Sequence, residues 1–147
     1  MARDAYEGSP AARAIFEQAD TTLGMALARL CFEGPEQELT ATENAQPALL
    51  TASVALLAAM AESTDVAPFV AARARFVAGH SLGEYSALVA AGALSFTDAL
   101  RIVRRRGELM AAAREGTMAA VIGLDEERLE AACREASQAG GLAVVAN

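Results

Sequence analysis

The run Val77-Ala78-Gly79-His80-Ser81-Leu82-Gly83-Glu84-Tyr85 constrains the fold of this 147-residue chain more than any other stretch. A short apolar segment at 75–78 enters Gly-His-Ser-Leu-Gly, after which Leu82, Tyr85, Leu88 and Val89 recur at helical spacing. A serine presented at the tip of a tight strand-to-helix turn needs small residues two positions away on each side, because side chains there collide across the turn. Gly79 and Gly83 meet that need. The turn aims the Ser81 hydroxyl into open space, and the Leu82 N–H opens a helix whose N-terminal dipole favours negative charge. The pattern is that of a nucleophile elbow, with Ser81 the nucleophile and the Leu82 N–H half of an oxyanion hole. Glu84 falls in the first helical turn, where the dipole favours a carboxylate.

A second signal lies in residues 95–113. Ser95 and Asp98, three residues apart, read as a capping box that opens a long helix. At about 100° per residue, Leu100, Ile102, Val103, Leu109 and Met110 gather on one side, and Arg101, Arg104, Arg105 and Glu108 on the other. Arg106 breaks the division, four residues after Ile102 and three before Leu109. A guanidinium there calls for an anionic partner, and its planar fork suits a carboxylate. The partner is either an internal Asp or Glu or a ligand carboxylate near Ser81; alternatively the side chain snorkels to the surface.

The remaining pattern predicts an α/β chain. Ser9-Pro10 starts a helix with proline at its first position, and a shorter helix covers 25–32, ended by Gly34-Pro35. One turn of helix is expected near 36–39. Residues 46–61 are apolar nearly all round, as suits a central packed helix, and the longest apolar run, 47–61, is too short to cross a bilayer. Ala67-Pro68 marks a break, 75–78 form the strand into the elbow, and Gly92 closes the elbow helix. Beyond Gly116 the period changes: 117–123 are strand-like, 125–136 helical and 142–146 strand-like, a β-α-β unit.

Composition narrows the function. Twelve Lys+Arg against 19 Asp+Glu give a net charge of −7, so the basic footprint that nucleic acid or an anionic membrane requires is missing. An anionic substrate therefore needs a local cation. The N-terminus lacks the apolar stretch of a signal peptide, which predicts a cytoplasmic protein. Cys31 and Cys133 cannot build a disulfide framework or a four-ligand metal site, and no metal or redox cofactor is expected.

Residues 79–89, Gly-His-Ser-Leu-Gly-Glu-Tyr-Ser-Ala-Leu-Val, with Arg106-Gly107 downstream, closely resemble the malonyl-CoA:acyl-carrier-protein transacylases of the acyltransferase domain family. Gln46-Pro47-Ala48-Leu49 and Met118-Ala119-Ala120-Val121-Ile122-Gly123-Leu124 resemble the same family in the same order. The resemblance implies a partial α/β-hydrolase-like large subdomain over 1–114, followed by the first β-α-β of a ferredoxin-like small subdomain over 115–147. It also implies that Ser81 takes a malonyl group from malonyl-CoA as an acyl-enzyme and passes it to the thiol of acyl carrier protein in fatty-acid biosynthesis. Arg106 would hold the malonyl carboxylate, Leu82 N–H the oxyanion, and His80 a supporting role, since a residue directly before the nucleophile on a strand points to the opposite side.

Two parts of the family pattern are absent: an opening strand with a Gly-Gln-Gly loop that supplies a second oxyanion donor, and a catalytic histidine in the second half. The single histidine here is His80. The chain is accordingly expected to be about the first half of an enzyme, inactive alone, with a complementary C-terminal half as a partner besides malonyl-CoA and acyl carrier protein. Two other readings stand beside this one. One is a non-catalytic remnant or split-protein half that only binds a partner; the other is a serine esterase of α/β-hydrolase type, which has no use for Arg106.

Overall fold

Local signals start and stop the helices of this computed structural model, which describes residues 1–113 and 116–146. After α1 (Arg3–Gly8), the Ser9 hydroxyl accepts the Ala12 N–H at 3.2 Å and Pro10 occupies the first position of α2 (Pro10–Leu23). Gly24, at φ 64°, ends α2 in the left-handed conformation. Next come α3 (Leu27–Glu33), α4 (Glu36–Thr40), α5 (Thr42–Ala61), α6 (Ala67–Ala71) and α7 (Gly83–Ala90). The Ser95 hydroxyl accepts the Asp98 N–H at 3.1 Å and donates to its carboxylate at 2.6 Å, capping α8 (Phe96–Ala112). Asp125 caps α9 (Glu126–Gln138). The chain divides into two compact units, Met1–Ala113 and Arg114–Asn147.

In the first unit α5 is the central element. Its buried Ala48, Leu50, Val54, Ala55 and Ala58 belong to the same core as Ile15, Phe16 and Ala19 of α2 and Ala99, Leu100 and Val103 of α8. The many alanines let the helices approach closely. Because α5 begins at Thr42, four residues before the sequence suggests, its 20 residues do reach the length and apolar composition of a membrane-crossing helix; half of that stretch is buried inside the protein, as befits a core helix.

The expected α/β architecture is not what forms. Among the described residues there is no strand, so neither a partial α/β-hydrolase-like subdomain nor the β-α-β start of a ferredoxin-like subdomain is present. A strand exists by exchanging N–H and C=O bonds with a neighbour. Residues 75–78, 117–123 and 142–146 have strand-like patterns, but none is in a ladder with another. Their apolar side chains stand in solvent: Phe76 is 88%, Ile122 93% and Leu142 87% exposed. The regular element of the second unit is α9 alone among the described residues.

Candidate functional site

The elbow is a four-residue turn ahead of α7. Gly83 N–H donates to the His80 carbonyl at 2.8 Å and Glu84 N–H to the Ser81 carbonyl at 3.2 Å. Ser81 adopts φ 52°, the left-handed region, a conformation that costs a non-glycine residue about 1–3 kcal/mol and recurs at functional turns. Gly79 is required by contact, since a Cβ there would lie 2.0 Å from the carbonyl carbon and oxygen of Gly83. A Cβ on Gly83 would meet nothing within 4 Å, so the steric demand read for both glycines falls on the first alone. Ser81 and His80 are exposed, whereas Leu82 is half-buried as the residue preceding α7. Among the described residues no backbone carbonyl accepts the Leu82 N–H, which leaves that donor at the start of α7 beside Ser81.

Arg106 reaches this turn from α8. Gly107 lets α8 lie directly on the start of α5, for a Cβ there would stand 2.6 Å from Glu43 Cα and 2.8 Å from the Thr42 carbonyl oxygen. Arg104 fastens the same crossing by donating to the Glu43 carbonyl at 3.1 Å, to Asn44 Oδ1 at 2.7 Å and to Glu108 at 2.9 Å. This close approach puts Gln46 beside Arg106. Arg106 Nη1 donates to Gln46 Oε1 at 2.6 Å, and Nη2 donates to Ser81 Oγ at 3.0 Å. Gln46 is 5% exposed, and its Nε2 donates to Thr42 Oγ1 at 2.9 Å and to Met110 Sδ at 3.3 Å.

Arg106 finds neutral partners at this crossing. Among the described residues it makes no ion pair, while Arg101 pairs with Asp98 and both Arg104 and Arg105 pair with Glu108. Hydrogen bonds from Arg104 first, and then Arg105, hold the Glu108 carboxyl below its usual range. The Arg106 guanidinium is held by two neutral oxygens, so its charge stays available to an anion, and the N-terminus of α7 adds to the same sign of potential. It borders an open cavity of about 520 Å³ that Ile102, Leu109 and Met110 also line. Among the described residues no three His, Cys, Asp or Glu side chains are grouped to hold a metal ion.

Ser81, Leu82 and Arg106, separated by up to 25 residues, thus meet at one place, with His80 contributing its carbonyl to the turn. Gln46 is the participant that site reasoning on the sequence missed. Its signal is a polar side chain at a buried position in a helix otherwise apolar nearly all round. Chemically, among the described residues, the site offers a hydroxyl, an N–H without a backbone acceptor at a helix start and a cation without an ion-pair partner. Arg106 donates to the hydroxyl and cannot take its proton.

The acyl transferase domain family's sequence profile matches residues 1–144. The chain is 51% identical over 150 residues to the malonyl CoA-acyl carrier protein transacylase of Bacillus subtilis (strain 168), covering 100% of this chain and 45% of that protein. Among solved structures, the acyl-carrier-protein S-malonyltransferase of Bartonella henselae is 43% identical with a TM-score of 0.80, over 95% of this chain and 45% of the other. A malonyl-transacylase in complex with its type II polyketide synthase acyl-carrier protein is also 43% identical, with a TM-score of 0.80, over 95% and 44%. The chain spans less than half the length of these relatives.

Proposed function

Because the chain belongs to the malonyl-CoA:acyl-carrier-protein transacylases of the acyl transferase domain family, we propose that it carries the nucleophile and the carboxylate-binding cation for malonyl transfer from coenzyme A to acyl carrier protein. The observation that carries this reading is the 3.0 Å bond between Arg106 Nη2 and Ser81 Oγ, made by a guanidinium whose protein partners are neutral. A malonyl thioester has one carboxylate, a single methylene away from its reactive carbonyl. Seated on the Arg106 fork, that carboxylate brings the thioester carbonyl to Ser81 Oγ.

Ser81 Oγ then bonds to the carbonyl carbon and loses its proton to a base, while the oxyanion faces the Leu82 N–H and the start of α7. The C–S bond breaks, coenzyme A leaves as a thiol, and the malonyl ester on Ser81 is attacked in turn by the carrier's thiol. Arg106 cannot serve as the base, and the assignment of His80 is to support the elbow through its carbonyl. Among the described residues this reading assigns no base and no second oxyanion donor; lacking one such donor alone costs about 10²–10³ in rate. We expect negligible turnover from these residues on their own. We place the reaction in cytoplasmic fatty-acid biosynthesis.

Intact-mass spectrometry after incubation with malonyl-CoA tests this, with the chain alone and co-expressed with the C-terminal part of the Bacillus subtilis relative. A malonyl adduct in the co-expressed sample, abolished by Ser81→Ala and reduced at least about tenfold by Arg106→Ala, is the expected result. Absence of an adduct in a folded complex marks a protein that binds but does not transfer. Hydrolysis of neutral esters indifferent to Arg106→Ala marks an esterase.

A further inference from the structure

We propose that Gln46 is a positioning residue that makes the site selective for acyl groups ending in a carboxylate: its amide, locked by Thr42 and Met110, holds the Arg106 guanidinium in place without neutralising it. The inference rests on the reading of Arg106 as the carboxylate-binding cation and adds what keeps that cation free.

The arginines of α8 show the contrast. Arg101 pairs with Asp98, and Arg104 and Arg105 share Glu108. Arg106 instead has an amide oxygen and a hydroxyl oxygen as its partners. A glutamate at position 46 would match the amide in shape and accept the same bond, but it would spend the charge of Arg106 inside the protein.

Two pairs of side chains, each one helical turn apart, build the lock: Thr42 and Gln46 on α5, and Arg106 and Met110 on α8. A guanidinium has only donors, so Gln46 turns its Oε1 to Arg106. That leaves Nε2 to donate to Thr42 Oγ1 at 2.9 Å and to Met110 Sδ at 3.3 Å. The buried amide thus has its oxygen and its nitrogen both engaged, and reversing it would set N–H against N–H at Arg106. The Thr42 hydroxyl could rotate to serve a carboxylate. The Met110 thioether could not, because it only accepts. Pro47 secures the crossing: it has no N–H to give the Glu43 carbonyl, and Arg104 Nη1 supplies a donor there at 3.1 Å.

The test titrates the chain with monomethyl malonate, which has one carboxylate a methylene away from an ester carbonyl, and with methyl malonamate, its neutral amide. Binding is read from the backbone amide NMR signals of Ser81 and Leu82. The parent should prefer the carboxylate probe at least about tenfold, and Arg106→Ala should abolish that preference. Gln46→Glu should lose at least about tenfold for monomethyl malonate and stay within about twofold for methyl malonamate. Thr42→Val should lose about threefold for the carboxylate probe, with Thr42→Ser restoring it. Equal loss of both probes in Gln46→Glu marks a structural role and overturns the proposal. If Gln46→Glu does not fold, the Thr42 pair decides, and parent-like carboxylate binding by Thr42→Val overturns it. Equal binding of monomethyl malonate by the parent and Arg106→Ala overturns the proposed function along with this inference. Arg106-dependent binding that Gln46→Glu leaves intact overturns this inference alone.

Discussion

Ser81 stands in a left-handed conformation because the turn around it is closed by backbone contacts, and Gly79 is where that closure is tightest. Gly79→Ala forces a methyl into the Gly83 carbonyl group, so the turn must open and the Ser81–Arg106 bond with it. Gly83→Ala places its methyl in open space at the first residue of α7, where alanine is the better helix former by up to about 1 kcal/mol. The pair separates the two glycines of the motif: thermal melts should show a loss for Gly79→Ala and no loss, or a gain, for Gly83→Ala. A second contrast concerns the thiols. Burial raises the pKa of Cys31, so little thiolate is present near neutral pH, whereas Cys133 is half-buried. Titration with a disulfide reagent at neutral pH should give one fast and one slow thiol, the slow one becoming fast in denaturant. At this scale the sequence is readable where a residue violates its own surroundings, as Arg106 does on an apolar face. It is less readable where the reason lies far along the chain, as for Gln46, whose partner is 60 residues away.

Helices and strands differ in how much of their cause is local. The Ser9-Pro10 start of α2, the Ser95 cap of α8 and the Asp125 cap of α9 are legible because each cap bonds within three residues of itself. The apolar stretches 75–78, 117–123 and 142–146 carry a strand pattern but no pairing partner, and a pattern without a ladder does not make a sheet. Helix packing is also non-local, and Gly107 illustrates it: nothing in its neighbours announces that α5 passes within a methyl's reach. Gly107→Ala should push α8 off α5 and destabilise by about 1–3 kcal/mol, the usual cost of overpacking, despite alanine's higher helix propensity. A gain in stability on that substitution would show that the crossing is loose. Inside α5, Thr51 is fully buried and its hydroxyl has no hydrogen-bond partner among the described residues. Thr51→Val removes that group at nearly constant shape and should stabilise by about 1 kcal/mol in a denaturant titration.

Across the whole molecule, buried apolar surface is distributed unevenly. Among the described residues, every member of the core lies in the first unit, between Ala12 and Val103, and none of residues 116–146 is buried. A segment of some thirty residues with no buried side chain lacks the area that offsets its conformational entropy. The helix it contains, α9, is rich in exposed charge, with Arg134–Glu130 and Arg128–Asp125 pairs that contribute little in water. Cooperative unfolding of this chain is therefore the unfolding of α1 to α8. Shortening the chain to residues 1–113 should leave the melting temperature within about 2 °C, whereas Leu50→Ala in the core of the first unit should cost about 2–5 kcal/mol and lower it by many degrees. Circular dichroism melts of the three proteins decide the matter. A fall of more than about 5 °C on shortening would mean that residues beyond 113 bury apolar area in solution, and the core would then have to be redrawn to include them.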